Sequence, residues 1–177
     1  IQSNQNDQHG GQSIPSFDYD MAQGVTKSYK KLYTQNLMKS LELLFGEIYD
    51  EAKVLPIFTC LEEEHRLIPR LESDDEYIQL EGKLLVDLLG NKPLVQKAQS
   101  FTQSKALKEI SRETYQAMEA LIHNLNTMHS RAGAQIPFSS INYGTDTSPE
   151  GRLVTRNLLL AAEAGLGNGE TPIFPIH

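Results

Sequence analysis

Apolar residues recur at steps of three and four over two long stretches of this 177-residue chain, and that period dominates its layout. Val25, Tyr29, Leu32, Tyr33, Leu37, Leu41, Leu44, Phe45 and Ile48 fall on one stripe, which predicts a helix of about six or seven turns. Asp20 stands where a cap belongs near its start. Ala106, Leu107, Ile110, Thr114, Ala117, Met118, Leu121, Ile122, Leu125 and Met128 keep the same spacing and predict a second long amphipathic helix reaching His129. Between the two, Ile78, Leu84, Leu85, Leu88 and Leu89 predict a short helix stopped by Gly90, with Asn91 and Pro93 beyond it. Residues 47–70 are mixed: Pro56 and Pro69 read as breaks, and the EEEH run from Glu62 to His65 begins or coats a short helix. The segment up to about Tyr19 is polar and contains glycine, so it reads as a loop.

After Arg131 the period changes. Residues 134–143 permit a strand, although Pro137 lacks an amide donor and implies an edge or a bulge. Ser148, Pro149 and Glu150 give a helix start: a hydroxyl cap, a proline where no amide bond is missed, and a carboxylate near the positive helix end. Residues 153–164 form the helix body, Gly165 is its stop, and the closing IFPIH reads as a strand. Strand, loop, helix, glycine-rich loop and strand make an α/β unit.

Composition narrows the class. With 39% hydrophobic and 22% charged residues the chain is globular, and no apolar run approaches the roughly 20 residues needed to cross a bilayer. One cysteine, Cys60, excludes an internal disulfide framework, and the start IQSNQNDQ has no secretory-signal pattern, so a reducing, cytoplasmic setting is expected. The net charge of −7 argues against a surface that tracks DNA or RNA, but a single triphosphate needs only a few donors. The small basic cluster of Lys27, Lys30 and Lys31 reads either as a solvated helix face or as a phosphate contact.

Two separated motifs carry a resemblance. QHGGQSIPSFDYDMAQGV at 8–25 and SRAGAQIPFSSINYGTDTSPEGRLVTRNLLLAAEAGLGN at 130–168 resemble an upstream loop and the central region of the anaerobic (class III) ribonucleoside-triphosphate reductases. The resemblance implies a helix-rich α/β fold, a partial piece of the ten-stranded α/β barrel of ribonucleotide reductases, with two long helices. It implies one partial domain over 1–177: a nucleotide-proximal loop at 1–24, a mainly helical part at 25–129 whose middle matches no family motif, and barrel elements at 130–177. Family members are several times longer, and the chain opens on Ile1 and stops in an apolar run, so a central fragment is expected. The implied parent converts ribonucleoside triphosphates to deoxyribonucleoside triphosphates for DNA replication by thiyl and glycyl radical chemistry with formate as reductant. Its implied cofactors are the glycyl radical, zinc, and an activase carrying an iron–sulfur cluster and S-adenosylmethionine, all outside the matched residues. The fragment alone is expected to be inactive. Nucleoside triphosphates as substrate and allosteric effector, the activase and a second copy of the chain are the expected partners. A non-catalytic nucleotide-sensing or helical dimerisation module is the competing reading.

The candidate site residues lie in the two motifs, and each has a plainer alternative. Gly10 and Gly11 permit a positive φ and close approach of Gln12 and Ser13 to nucleotide, or simply form a tight turn. Arg131, beside Ser130, can grip a phosphate in a bidentate manner or cap the preceding helix; Gly133 and Ala134 keep the turn narrow, and Gln135 either reads a base edge or ties two loops together. The family comparison puts that loop where effector identity reaches the substrate pocket. Ser140 and Asn142 should share one strand face, with Ser139 opposite, and bind either neighbouring backbone or a nucleotide's sugar and phosphate. Asn168 and Glu170 order a substrate-side turn or are ordinary turn residues, and GLGNGE is not a dinucleotide loop because it follows a helix. No catalytic residue and no metal ligand is expected: His65 has no second histidine at peptidase spacing, and His123 and His129 fall on different helix faces. Acidic neighbours should raise the Cys60 thiol pKa, which suits a structural role.

Overall fold

The apolar stripes do fold as helices, but their ends lie elsewhere than the periodicity suggests. A computed structural model describes residues 10–72, 74–127, 136, 138–167 and 169–177. In chain order it contains β1 (Gln12–Ile14), α1 (Phe17–Phe45), a 3₁₀ turn (Gly46–Ile48), α2 (Glu51–Glu63), α3 (Asp75–Leu89), α4 (Lys92–Thr127), β2 (Ser139–Ile141) and α5 (Pro149–Ala164). The segment before Tyr19 is therefore not all loop. Asp20 does not cap α1: it lies exposed inside the first turn, its amide bonded to Ser16 O at 3.1 Å, while Phe17 and Asp18 are buried. Tyr29, Tyr33, Leu37, Leu41 and Phe45 are buried along the stripe, but Ile48 falls in the 3₁₀ turn and is 66% exposed.

Three further readings are corrected. Pro56 lies inside α2 and does not break it, for its ring removes one donor from a helix whose start is otherwise secured by Asp50, which accepts from Ala52 N. The EEEH run ends this helix and does not begin one. Pro93 is a start signal as well as a stop: it stands in the first turn of α4, where its missing amide costs nothing, and Asn91 Oδ1 accepts from Leu94 N at 3.2 Å. Hence α4 begins well before Ala106, and its early turns bury Val95, Ala98, Gln99 and Thr102. The readings at Gly90 and Ser148 stand: Gly90 closes α3 at φ 80°, and Ser148 caps α5, accepting from Gly151 N at 3.1 Å. Gly165 stops α5.

The described residues gather into two units. In the unit spanning Thr26–Ile110, Tyr29, Tyr33, Leu37, Leu41, Val54, Leu61, Tyr77, Leu85 and Val95 are buried. At the centre lies a carboxyl group. Glu81 is fully buried, and it accepts from Tyr77 Oη at 2.7 Å, Tyr33 Oη at 2.9 Å and Gln99 Nε2 at 2.9 Å. Three helices thus converge on one side chain. Gly82 makes room for Gln99, since a Cβ there would come within 3.1 Å of its amide oxygen. Gln99 also donates to Ile78 O, tying α4 to α3 twice.

In the other unit, made of the described residues of 1–25 and 111–177, β1 lies parallel to β2 with Gln12 beside Ser139, Ser13 beside Ser140 and Ile14 beside Ile141. The IFPIH segment adds one parallel bridge, Ile176 to Ser140, on the other side of β2. Asn126 on α4 holds that segment, donating to Phe174 O at 2.6 Å and accepting from Ile173 N and Phe174 N. Ile122, Leu125, Ile141, Val154, Leu158 and Ala161 are buried within this unit. The strand expected over 134–143 is only three residues long among the described residues, and these short strands do not by themselves make a barrel. No helix among the described residues is long and apolar enough to cross a membrane.

Glu81 makes a testable statement about stability. Burial raises its carboxyl pKa, and the hydrogen bonds from Gln99, Tyr77 and Tyr33 only partly oppose this. Because the folded value exceeds the unfolded one, its contribution is complete below the ordinary carboxyl pKa and is lost as pH rises through the folded value. Stability of the Thr26–Ile110 unit should therefore decline upward from the ordinary carboxyl range, and Glu81→Gln should flatten that decline. Denaturant melts at a series of pH values check this; equal slopes for both proteins would refute it.

Candidate functional site

The parallel register sorts the predicted polar residues onto two faces. Ser139 and Ile141 are buried, and Gln12, as the register partner of Ser139, faces the same way. Ser13, Ser140 and Asn142 lie on the opposite, open face, Ser13 and Asn142 exposed and Ser140 half-buried. The expected alternation between Ser139 and its neighbours holds. The sheet therefore brings Ser13, Ser140 and Asn142 together and sets Gln12 apart from them. Gly10 takes a positive φ of 78°; Gly11 does not need one, and a Cβ there would only touch Phe138.

The chain leaves β2 through a loop that is fixed from one end of α1. Asn142 N donates to Ile14 O and Asn142 O accepts from Phe17 N, both at 2.9 Å, so the loop entrance is stitched to the β1–α1 connection. One turn on, the buried Asp18 carboxylate accepts from Gly144 N at 2.8 Å and Asp146 N at 2.9 Å. Burial pushes the Asp18 carboxyl pKa up, but the amides of Asp146, Gly144, Tyr19 and Asp18 itself outweigh it and hold the group below its ordinary value. Its other oxygen is buried without a hydrogen-bond partner. Asp146 in turn accepts from Ser148 N at 2.8 Å, and Ser148 caps α5.

This chain of carboxylates aims the first turn of α5 and keeps it close to the loop. Gly151 is buried in that turn, and any Cβ on it would overlap the Asp146 carboxyl group. Alongside lies an open cleft of about 530 Å³ lined by Gly144, Asp146, Thr147, Arg152, Arg156 and Glu163 among others. Exposed guanidinium groups beside a capped helix start can attract and orient an anion. Sequence reasoning found the Ser148 cap but missed Asp18, Asp146 and Gly151. The Asp146–Ser148 turn and a glycine in the first helical turn were visible signals; the pairing of Asp18 with a loop 126 residues away was not.

Of the other predicted residues, Glu170 is exposed and closes its turn through backbone, donating to Gly167 O and accepting from Leu166 N, both at 3.0 Å. Ser130, Arg131, Gly133, Gln135 and Asn168 lie outside the described residues.

Comparison with known proteins places the chain. The family model described as anaerobic ribonucleoside-triphosphate reductase matches residues 1–177, and the chain belongs to that family. It is similar to the anaerobic ribonucleoside-triphosphate reductase of Escherichia coli K12, at 37% identity over 79 residues, covering 44% of this chain and 10% of the relative. The protein of the same name from phage T4 is 38% identical over 79 residues, covering 44% of this chain and 12% of the relative. That from Haemophilus influenzae is 38% identical over 73 residues, covering 41% and 10%. The chain thus matches about a tenth of the length of these relatives.

The steric argument at Gly151 gives a prediction. Gly151→Ala should destabilise the unit by about 1–3 kcal/mol, the usual penalty for forcing extra volume into a packed site. Adding Asp146→Ala should make the combined loss smaller than the sum of the single losses, because the smaller side chain removes the overlap. Denaturant unfolding of the two single variants and the double variant measures this, and strict additivity would count against the contact.

Proposed function

We propose that this chain is a segment of an anaerobic ribonucleotide reductase that presents polar loops to nucleotide while the radical chemistry resides in other parts of the polypeptide. The observation that carries the reading is the open face of Ser13, Ser140 and Asn142 leading directly into the rigidly held start of α5, in a chain that belongs to the reductase family. Hydroxyl and amide groups there suit a ribose, and the helix start with Arg152 and Arg156 nearby suits phosphate. In this reading the sheet is part of the reductase barrel, Glu170 shapes a turn on the substrate side, and the Arg131 loop with Ser130, Gly133 and Gln135 carries the effector signal.

The groups implied for the parent do not fit this chain's own residues. A single cysteine cannot supply a set of zinc-binding cysteines. Cys60 also stands outside both motifs that carry the family resemblance. Thiyl and glycyl radical formation, formate oxidation and activase docking are therefore assigned to residues outside this chain. Association with a second copy through the long helices belongs to the same reading.

Two outcomes test the proposal. The 177-residue chain, given activase and formate, should form no deoxynucleotide above a protein-free control. In a reductase polypeptide containing this chain, Asn142→Ala or Ser140→Ala should lower kcat/KM for ribonucleoside triphosphates by roughly tenfold, the worth of about one hydrogen bond at 1.4 kcal/mol. The melting temperature should stay unchanged, because Asn142 ties the loop through its backbone. A loss of stability with unaltered kinetics would show a purely structural role.

A further inference from the structure

Cys60 lies near the end of α2, and Glu64 follows four residues later, so both side chains stand on one face of the helix. The helix then terminates on a left-handed residue. Arg66 has φ 59°, and Leu67 N returns to Leu61 O at 2.9 Å, which folds the chain back over the last turn. His65 is held beside that turn, its own amide still directed at Cys60 O at 3.4 Å. As a result the Cys60 sulfur, a Glu64 carboxylate oxygen and a His65 ring nitrogen all lie within 4.8 Å of one another. The spacing rule for paired histidines does not detect this set, because its third member is delivered by the helix terminus and not by the helical repeat.

We propose that Cys60, Glu64 and His65 form a binding site for a borderline divalent transition-metal ion of the zinc type, with the fourth position open to water. Thiolate and imidazole donors favour such an ion over magnesium or calcium, which take oxygen ligands. In a tetrahedral zinc site, bond lengths of about 2.0–2.3 Å put ligand atoms roughly 3.5 Å apart. The three atoms need to draw together by only about 1 Å from their 4.8 Å limit. Glu64 and His65 are exposed and can swing, while Cys60 is half-buried and supplies the anchored donor.

The surroundings suit a cation. Glu62 and Glu63 precede the set, although Glu62 is engaged by Lys30. An open cleft of about 570 Å³, lined by Leu55, Pro56, Thr59, Cys60, Glu63 and Glu64, provides access. Without metal, the Cys60 thiol keeps its proton: burial and then its hydrogen bond to Glu64 raise its pKa. On binding, the metal–sulfur bond replaces the sulfur–hydrogen bond and that proton leaves to solvent. No oxidation change occurs. Affinity should therefore weaken as pH falls, since protons compete with the metal for the thiolate. A metal here would lock the end of α2 to the chain that follows it.

The test is titration of the untagged, metal-free 177-residue chain with Co²⁺ and then Zn²⁺ under reducing conditions. Cys60 is the chain's only cysteine, so a thiolate-to-cobalt charge-transfer band can report no other residue. One equivalent of Co²⁺ should generate the band and Zn²⁺ should abolish it, while Mg²⁺ leaves the chain silent. Cys60→Ser should eliminate the band. His65→Ala, at an exposed position, should keep the native circular dichroism and weaken Zn²⁺ binding at least roughly 10–100-fold, the loss that even an outer-sphere partner can carry. Absence of the band, or Zn²⁺ affinity unchanged in either variant, overturns the proposal.

Discussion

Everything around the candidate site depends on closing one very long loop. β1 and β2 are parallel neighbours, and parallel strands require a crossover connection. Here α1 to α4 fall between them in the chain. The nearby contact from Asp18 to Gly144 joins residues 126 apart, and chain statistics put the length-dependent cost of such a closure at about 4 kcal/mol. Two three-residue strands cannot offset that alone. Asp18 adds charge-assisted bonds to two loop amides, Asn126 fixes the segment that bridges the other side of β2, and the apolar residues beneath supply the remainder.

The same long-range closure explains why the site is polar yet ordered. Its loop from Asn142 to Ser148 has no sheet ladder of its own, so its amides need partners elsewhere. They find them in Ile14 O, the Asp18 carboxylate and the Asp146 carboxylate. With the backbone satisfied from below, the side chains of Ser13 and Asn142 stay exposed on the open face. On the proposed reading, a nucleotide would meet them without the loop having to reorganise, which is how preorganisation improves binding.

The helical unit solves a different problem. Glu81 carries a carboxyl into a fully buried position, which is tolerable because three donors from α1, α3 and α4 surround it. The tyrosine hydroxyls around it are affected in turn: burial and then Glu81 push the Tyr29 hydroxyl up to about 12, and Tyr33 and Tyr77, which donate to Glu81, rise further for the same reasons. The polar cluster gives the packing of three amphipathic helices a directional contact that apolar side chains lack.

Sequence alone determined what local chemistry can determine. The stripe through Tyr29, Tyr33, Leu37 and Leu41, the stop at Gly90, and the start and stop of α5 at Ser148 and Gly165 each depend on atoms within a few residues. The two motifs that revealed the family were legible for a similar reason, being contiguous strings. The EEEH run was misread because an acidic run is compatible with either end of a helix, whereas Pro93 was placed correctly beyond the stop at Gly90 and only its second role, in the first turn of α4, was missed. The burial of Glu81, the reach of Asp18 to a distant loop, and the separation of Gln12 from Ser13 and Ser140 were decided by tertiary structure. A side chain's partner depends on which segments pack against it and in what register, and neither is encoded in the few residues on either side.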